Sequence, residues 1–355
     1  MAGTNKRELL RIIHARAPLR VNDIGGWTDT WFASRGKVLN LAVDPAVEAQ
    51  ALVFKRTGRP GSRVSIRASN YDQTIRIDPA APRPEPHGLL QFAVAILPPD
   101  PDQALEITLH SHVPAGISTG TSAAVTIALL GILNALRPKP LAWRDLARLA
   151  HRVETEKLGQ QSGIQDQIAA AHGGTSFIEM REYPDARTTA VALSSDLRAE
   201  LDRRLLLVYL GAPHRSSAIH EDVIAALEGG SPQFAVLREL ADFAEEARRA
   251  LRVENLEAYG KAMILNHEGQ RRLGAGLISP AADGVAAVCR RHGAAGWKVN
   301  GAGGAGGSMA VLAGPDDVRR LALVEAIERL GGGIRIIPVR LSPRGVQAWD
   351  AAVLR

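Results

Sequence analysis

Residues 114–125 read PAGISTGTSAAV, which sets Pro114, Gly116, Ser118, Thr119, Gly120, Thr121 and Ser122 directly before a long apolar run. Small residues at a helix start leave backbone N–H groups uncovered, and the positive end of the helix dipole draws phosphate to them. The hydroxyls of Thr121 and Ser122 could bind phosphate oxygens or a metal. No Gly-Lys-Ser/Thr follows, so the stretch is not a Walker A loop. Ser and Thr are also common N-cap residues, and taken alone a plain cap is the commoner role.

Three other stretches crowd chemical groups into short spans. APLRVNDIGGWTDT (17–30) packs Arg20, Asn22, Asp23 and Asp29 around Gly25-Gly26 as it leaves a strand. Glycines there allow a ligand to approach the backbone closely, although a polar turn with Asp29 bonded to local N–H groups fits equally. ETEKLGQQSGIQDQIAAAHGG (154–174) carries Asp166 into a helix of small apolar residues. A carboxylate there is costly unless it is paired or has a task, or it simply complements the helix dipole. Glu154 and Glu156 come a helical stretch earlier, and either could face a cation, with solvent as the default for a lone Glu. KVNGAGGAGGSMAVLAG (298–314) has five glycines between 301 and 307. The string imitates a dinucleotide fingerprint, but a strand pattern follows where that fingerprint needs a helix, so a Rossmann fold is rejected.

The elements that must position these groups are legible in outline. Period-two alternation and β-branched runs predict strands at 38–55, 63–69, 73–78 and 105–113. Pro-rich spans at 79–86 and 97–102 are surface connections. The chain reads as helical from 120 to 172, and GTSAAVTIALLGILNAL is too uniformly apolar for a surface helix, which places it at the centre of a core. LDRRLLLVYLGAP (201–213) reads as a strand opening a second domain, which divides the chain at 1–200 and 201–355. Helical patterns follow at 216–228, 234–251 and 254–272. A helix at 280–292, strands at 296–300 and 308–313, a helix at 315–330 and a strand at 333–340 complete an α+β sandwich.

Composition narrows the function classes. The chain has 355 residues, 46% hydrophobic and 23% charged, as in ordinary folded domains. The net charge of +6 has no Lys/Arg tract behind it, and at 4% aromatic residues base-stacking platforms are scarce. The reading is therefore no nucleic-acid partner, and an anionic small substrate explains the excess charge at least as well. No apolar run reaches membrane-spanning length, the first residues lack an apolar signal core, and the single cysteine, Cys289, sits in a helical pattern as a small buried residue. These point to a cytoplasmic protein without a membrane partner, and leave a homodimer open.

Together and in this order, the four stretches resemble the motifs of the GHMP kinase family, named for its galactokinase, homoserine, mevalonate and phosphomevalonate kinases. The resemblance covers nearly the whole chain. APLRVNDIGGWTDT looks like the first motif of its sugar kinases, and PAGISTGTSAAV like its Pro-x-x-x-Gly-Leu-x-Ser-Ser-Ala phosphate motif. ETEKLGQQSGIQDQ is similar to the segment with the catalytic aspartate, and VNGAGGAGGS to the third, glycine-rich motif. The resemblance implies an N-terminal mixed β/α domain of the ribosomal S5 domain 2-like type and a ferredoxin-like α/β sandwich behind it. It implies ATP and Mg2+, with Asp166 as the base toward a sugar hydroxyl and Arg20 beside it. The 116–122 backbone would wrap the triphosphate, Ser122 and Glu154 would hold the metal, and Gly303 and Gly304 in the 301–307 loop would support the nucleotide. Asp29, with Gly26 and Trp27, falls where sugar hydroxyls are bound, and His214 and Arg215 could meet a phosphate already on the substrate. Ser118-Thr119 replaces the family's Gly-Leu, a departure that bears on the loop's conformation. GGWTDT, KVLNLAV (37–43) and GIQDQIAAAHGG look most like fucokinases and heptose 7-phosphate kinases, which implies an anomeric hydroxyl as acceptor. A kinase for a mevalonate-like or amino-acid alcohol, or a non-catalytic nucleotide-binding protein on the same scaffold, are the other readings.

Overall fold

The computed structural model describes residues 7–33, 35–56, 61–213, 223–224, 233–274 and 276–351. Its first strands are β1 (Leu9–Ile24) and β2 (Gly36–Lys55), which pair antiparallel over most of their length. In the first part of β1 alternate residues Ile13, Ala15 and Ala17 point into the core, while Ile12, His14 and Arg16 stay partly exposed, the period-two pattern of a sheet with one open face. Beyond Pro18 the pairing slips twice, at Pro18/Leu19 and at Val21/Ile24. Such bulges bend and re-aim a strand, and here every residue from Ala17 to Ile24 becomes buried. The bent end of β1 is what carries Arg20, Asn22 and Asp23 inward.

Strands β3 (Val64–Ala68), β4 (Gln73–Ile77) and β5 (Gln103–Ser111) extend the sheet on one side, while β6 (Thr175–Glu182) pairs with β2 and β7 (Asp185–Ala190) with β6. Helix α1 (Gly88–Ile96) precedes β5. Helix α2 (Thr121–Ala135) is the central one: eleven of its fifteen residues, from Ala123 to Asn134, are buried, and it packs on β1 and β2. Helix α3 (Trp143–Arg152) runs on into a π-helical turn over Val153–Lys157, and α4 (Gln165–His172) lies beside α2. The helical stretch expected over 120–172 is thus three helices and a π turn, with Pro138 and Pro140 after the first and Gly159 and Gly163 after the second.

Helix α5 (Ser195–Arg204) comes next, and it corrects the strand expected from 201. Ser194 caps it, accepting from Leu197 N at 3.1 Å, and the strand β8 (Leu205–Leu210) starts only after Arg204. Helices α6 (Gln233–Arg252), α7 (Leu256–Leu273) and α8 (Pro280–Arg291) follow, then β9 (Gly296–Val299), β10 (Ser308–Leu312), α9 (Asp317–Glu328) and β11 (Ile334–Ile337). The second sheet has the order β11-β8-β10-β9, antiparallel throughout, with Cys289 buried in the layer of apolar residues between it and α8. This is the α+β sandwich expected. The helical pattern at 216–228 lies outside the described residues apart from Val223 and Ile224. After β11 the chain returns: β12 (Arg340–Leu341) pairs with β2 and β13 (Gln347–Ala351) with β1. Among the described residues no helix is long and apolar enough to cross a membrane.

Buried polar groups join the two sheets' layers. Asn22 N donates to Asn300 Oδ1 at 2.8 Å, Asn22 Nδ2 to Tyr259 Oη at 2.6 Å, and Gly25 N to Asn266 Oδ1 at 2.7 Å. Each donor belongs to the 20–26 segment and each acceptor to the second half, so the end of β1 is held from both sides.

Candidate active site

Where the bent end of β1, the start of α2 and the start of α4 meet, they enclose a cavity of about 660 Å3. Arg20, Asp23, Trp27, Asp29, Gly116, the run Ser118–Ser122, Glu154, the 159–163 loop, Gln165, Asp166, Gly301 and Ala302 line it.

The start of α2 settles how its hydroxyls are used. The N-cap residue is Gly120, in the left-handed region at φ 69°, and no side chain caps the helix. Thr119 Oγ1 instead lies 3.3 Å from Thr121 Oγ1, and the first N–H groups of α2 face the cavity without a capping oxygen. That is the arrangement of an anion site. A Cβ on Gly120 would press on Asp166 and Arg20, so glycine there both permits the turn and lets the helix end approach these charges. Ser118, standing where the resembled motif has glycine, also adopts a left-handed conformation at φ 60°, and its buried hydroxyl has no hydrogen-bond partner. The chain keeps the glycine-type turn without the glycine, at a cost of about 1–2 kcal/mol for an L-residue.

Arg20 and Asp166 face each other across this helix start. Arg20 Nε donates to Asp166 Oδ1 at 2.8 Å and Nη2 to Oδ2 at 3.2 Å, while Nη1 donates to the Ser118 carbonyl. Burial works against the guanidinium's charge, but Asp166, Asp23 and Asp29 outweigh it and raise its pKa further. Arg20 is therefore a fixed cation that holds Asp166 in one orientation by a two-point contact, with a quarter of the Asp166 side chain open to the cavity.

Behind this pair is a second one that the sequence reading did not assign. Lys298 Nζ donates to Asp23 Oδ1 at 3.0 Å, and each side chain is 1% exposed. Gly301 N donates to both Asp23 oxygens at 3.1 Å, and Gln165 Nε2 lies 3.4 Å from Oδ2. Burial opposes the Asp23 charge, yet Lys298 and Arg20 prevail and lower its pKa. The glycine loop is thus anchored to β1 through Gly301. Gly301 and Ala302 line the cavity, whereas Gly303 and Gly304 turn away from it onto the Leu277 carbonyl, to which Gly304 N donates at 2.8 Å. Only the KVNG lysine, a single cation between Trp297 and Val299, could have signalled the pair in the sequence.

Asp29 lies on the far wall. Its Oδ2 accepts from Gln165 N at 3.0 Å, and Gly163 packs so closely that a Cβ would overlap the carboxylate. Burial pushes its pKa up to about 6. Trp27 lines the cavity in a left-handed conformation, φ 78°, while Gly26 packs on the Asp23 carboxylate instead of lining it. Pro114 is exposed and off the cavity wall. His214 and Arg215 lie outside the described residues.

Glu154 occupies the π turn after α3, 4% exposed. Its Oε2 accepts from Ser162 Oγ at 2.8 Å and Gln167 Nε2 at 2.6 Å, while buried Oε1 has no hydrogen-bond partner. Burial raises its pKa to about 7 in spite of the Ser162, Ser122 and Gln167 groups that lower it. A buried carboxylate oxygen left unmatched, with the Ser122 hydroxyl near, fits a hard divalent cation that draws its remaining ligands from phosphate and water. Among the described residues no three His, Cys, Asp or Glu side chains gather to hold a metal unaided. Glu156, the alternative, is half exposed and paired with Arg152.

These raised pKa values set a stability prediction. A carboxyl whose folded pKa exceeds its unfolded one contributes stability fully below the unfolded value, and loses it as pH rises through the folded value. For Glu154 that window runs from 4.5 to about 7. In the ligand-free protein Glu154→Gln is expected to be more stable than wild type at pH 8, by up to about 3 kcal/mol, and to show little gain at pH 4.5. Urea unfolding at the two pH values checks this.

Comparison with known proteins places these features in a family context. Residues 89–174, which hold α2, Glu154 and Asp166, match the GHMP kinases N terminal domain. The chain is 25% identical over 86% of its length to the bifunctional fucokinase/GDP-fucose pyrophosphorylase of Arabidopsis thaliana, of which it spans 30%. It is 22% identical to the D-glycero-alpha-D-manno-heptose 7-phosphate kinase of Campylobacter jejuni, over 69% of this chain and 71% of that one. It is 26% identical to a mevalonate kinase of Pyrococcus horikoshii, over 74% and 75%. The fold matches the crystal structure of a D-glycero-D-manno-heptose 1-phosphate kinase from Bacteriodes thetaiotaomicron at a TM-score of 0.74 and 20% identity, covering 96% of this chain and 100% of that one.

Proposed function

We propose, for a chain that carries a GHMP kinase N-terminal domain at residues 89–174 within the two-layered fold of those kinases, that it transfers the γ-phosphate of ATP to a sugar hydroxyl. The observation that carries this reading is the Arg20–Asp166 pair set against the uncapped start of α2 in one cavity. An anion site and a carboxylate base then stand side by side.

Phosphoryl transfer through a loose transition state needs alignment and charge neutralisation more than covalent chemistry. The N–H groups at 120–122 receive the phosphates, and the Arg20 guanidinium adds a fixed positive charge that cannot leave as a proton. Asp166, held through both oxygens, accepts the proton of the attacking hydroxyl. A divalent cation, when bound at Ser122 and Glu154, supplies further neutralisation of the phosphate oxygens. The acceptor lies toward Asp29, whose carboxylate accepts from sugar hydroxyls.

The anomeric hydroxyl is the preferred acceptor. It is the most acidic hydroxyl of a sugar, because the ring oxygen withdraws electron density, and so it asks least of a carboxylate base. The fucose- and heptose-acting relatives support the same choice. A primary alcohol of the mevalonate type is the second reading, favoured by the mevalonate kinase similarity. ADP formation with a panel of free sugars, heptose phosphates and mevalonate tests the proposal. A sugar-dependent rate is expected, and equal ADP release with and without every acceptor would sink it.

Gly163→Ala tests the acceptor side separately. The glycine has an ordinary φ, so alanine adds no backbone strain, but its methyl must displace the Asp29 carboxylate. A loss of about 10²-fold in kcat/KM for the acceptor is expected, as for an ångström-scale misplacement, with nucleotide affinity unchanged. Steady-state kinetics with each substrate varied in turn measure both.

A further inference from the structure

One buried and one partly buried side chain beyond the cavity wall have no part in the chemistry above. His151, at the end of α3, is 3% exposed, and Tyr183 follows β6. Tyr183 Oη lies 2.8 Å from His151 Nε2 and 2.8 Å from the Ser162 carbonyl oxygen, and His151 Nε2 lies 3.3 Å from that same oxygen. The protons can be counted. The carbonyl only accepts, so the tyrosine O–H donates to it, and a His151 Nε2–H is then shared between the tyrosine oxygen and the same carbonyl. His151 is neutral in this arrangement with its proton on Nε2, the form that burial favours. Neither ring lines the cavity.

The residue they grip is the one that orients Glu154. Ser162 Oγ has one proton and two acceptors in reach, Glu154 Oε2 at 2.8 Å and the Gly163 carbonyl at 3.0 Å. The carboxylate is the stronger acceptor. With Gln167 on the same oxygen, both of these donors reach Oε2, and Oε1 is left buried without a hydrogen-bond partner in a side chain that lines the cavity. The loop that carries Ser162, Gly159-Gln160-Gln161-Ser162-Gly163, is also tied to the π turn by Gln160 N, which donates to the Glu154 carbonyl at 2.9 Å.

We propose that His151 and Tyr183 are positioning residues that clamp the Ser162 carbonyl, so that the Ser162 hydroxyl turns Glu154 Oε1 toward the cation. The inference rests on the kinase reading and on Glu154 as a ligand of the metal that accompanies the nucleotide. It makes the 159–163 loop a joint between the metal side and the acceptor side, since Gly163 packs on Asp29 while Ser162 holds Glu154.

Tyr183→Phe removes the hydroxyl and keeps the ring, with its edge contacts to Trp31 and His151. Mn2+ binding to the protein in the presence of a non-hydrolysable ATP analogue, read by electron paramagnetic resonance of the free ion, gives the test without turnover. A 10- to 100-fold weaker Mn2+ affinity is expected, the range for partners that orient a metal ligand, together with recovery of kcat at saturating Mn2+ and an unchanged KM for the acceptor. Ser162→Ala is expected to reproduce the weaker Mn2+ binding, which keeps the test open if Tyr183→Phe fails to fold. Wild-type Mn2+ affinity in both variants overturns the clamp alone. Absence of nucleotide-dependent Mn2+ binding in the wild type overturns the kinase reading beneath it.

Discussion

Asp166→Asn is expected to lower turnover by about 10²–10⁴-fold, the range for a lost general base, while the affinity for an ATP analogue stays near that of wild type. The two effects separate because the proposed reaction gives the phosphates to other groups, the backbone at 120–122 and the Arg20 guanidinium. Asparagine retains the shape and one acceptor oxygen for Arg20, but its amide group turns two donors toward a cation or the cavity. Since a quarter of the Asp166 side chain is exposed, water can reach the mismatch, and the stability cost stays within about 1–3 kcal/mol. Single-turnover rates, analogue titration and urea unfolding together distinguish a lost base from a lost fold. A variant that keeps the wild-type rate would remove Asp166 from the role of base.

The largest stability effect is expected at Lys298. Lys298→Met removes the ion-pair partner of a fully buried carboxylate and leaves Asp23 with the field of Arg20 and the Gly301 N–H, which costs about 3–5 kcal/mol. Asp23 still accepts from Gly301 N, but a charge in so dry a place is not balanced by amide dipoles alone. The double variant Asp23→Asn/Lys298→Met is expected to regain most of the loss, because no unpaired charge remains. The pair ties β1 to β9 and the glycine loop, so the single variant also loosens the wall of the cavity formed by Gly301 and Ala302. Denaturant unfolding of the two singles and the double gives the coupling directly. Additive losses would show that the pair does not act as a unit.

Much of this site was legible in the residues, for definite reasons. GTSAAVTIALLGILNAL betrays a helix buried on all sides because it offers no polar stripe, and α2 is that helix. The glycine run at 301–307 betrays a turn between strands because a strand pattern resumes at Ser308. Other features leave no such trace. A π turn has no residue periodicity of its own, so the burial of Glu154 and the exposure of Glu156 could not be told apart in ETEK. LDRR carries the end of a helix into an apolar strand, and the change of element falls within a run of charges that suits either. Whether the hydroxyls at 118–122 cap α2 is a matter of backbone angles at Gly120, which composition does not encode. The Lys298–Asp23 pair joins residues 275 positions apart, and neither shows its partner in the local text.

In the proposed reaction the anomeric hydroxyl of a sugar, held beside Asp166, receives phosphate delivered at the start of α2. The proton-coupled phosphorus-31 spectrum of a completed reaction with ATP and the best acceptor of the panel reports this most directly. A phosphate on an anomeric hydroxyl is split by the single proton on that carbon, so a new phosphomonoester doublet beside the signals of ADP is the predicted result, absent with Asp166→Asn. A new triplet absent from the acceptor alone, from phosphate placed on a primary alcohol, or a spectrum in which ATP persists unchanged with every acceptor, would contradict it.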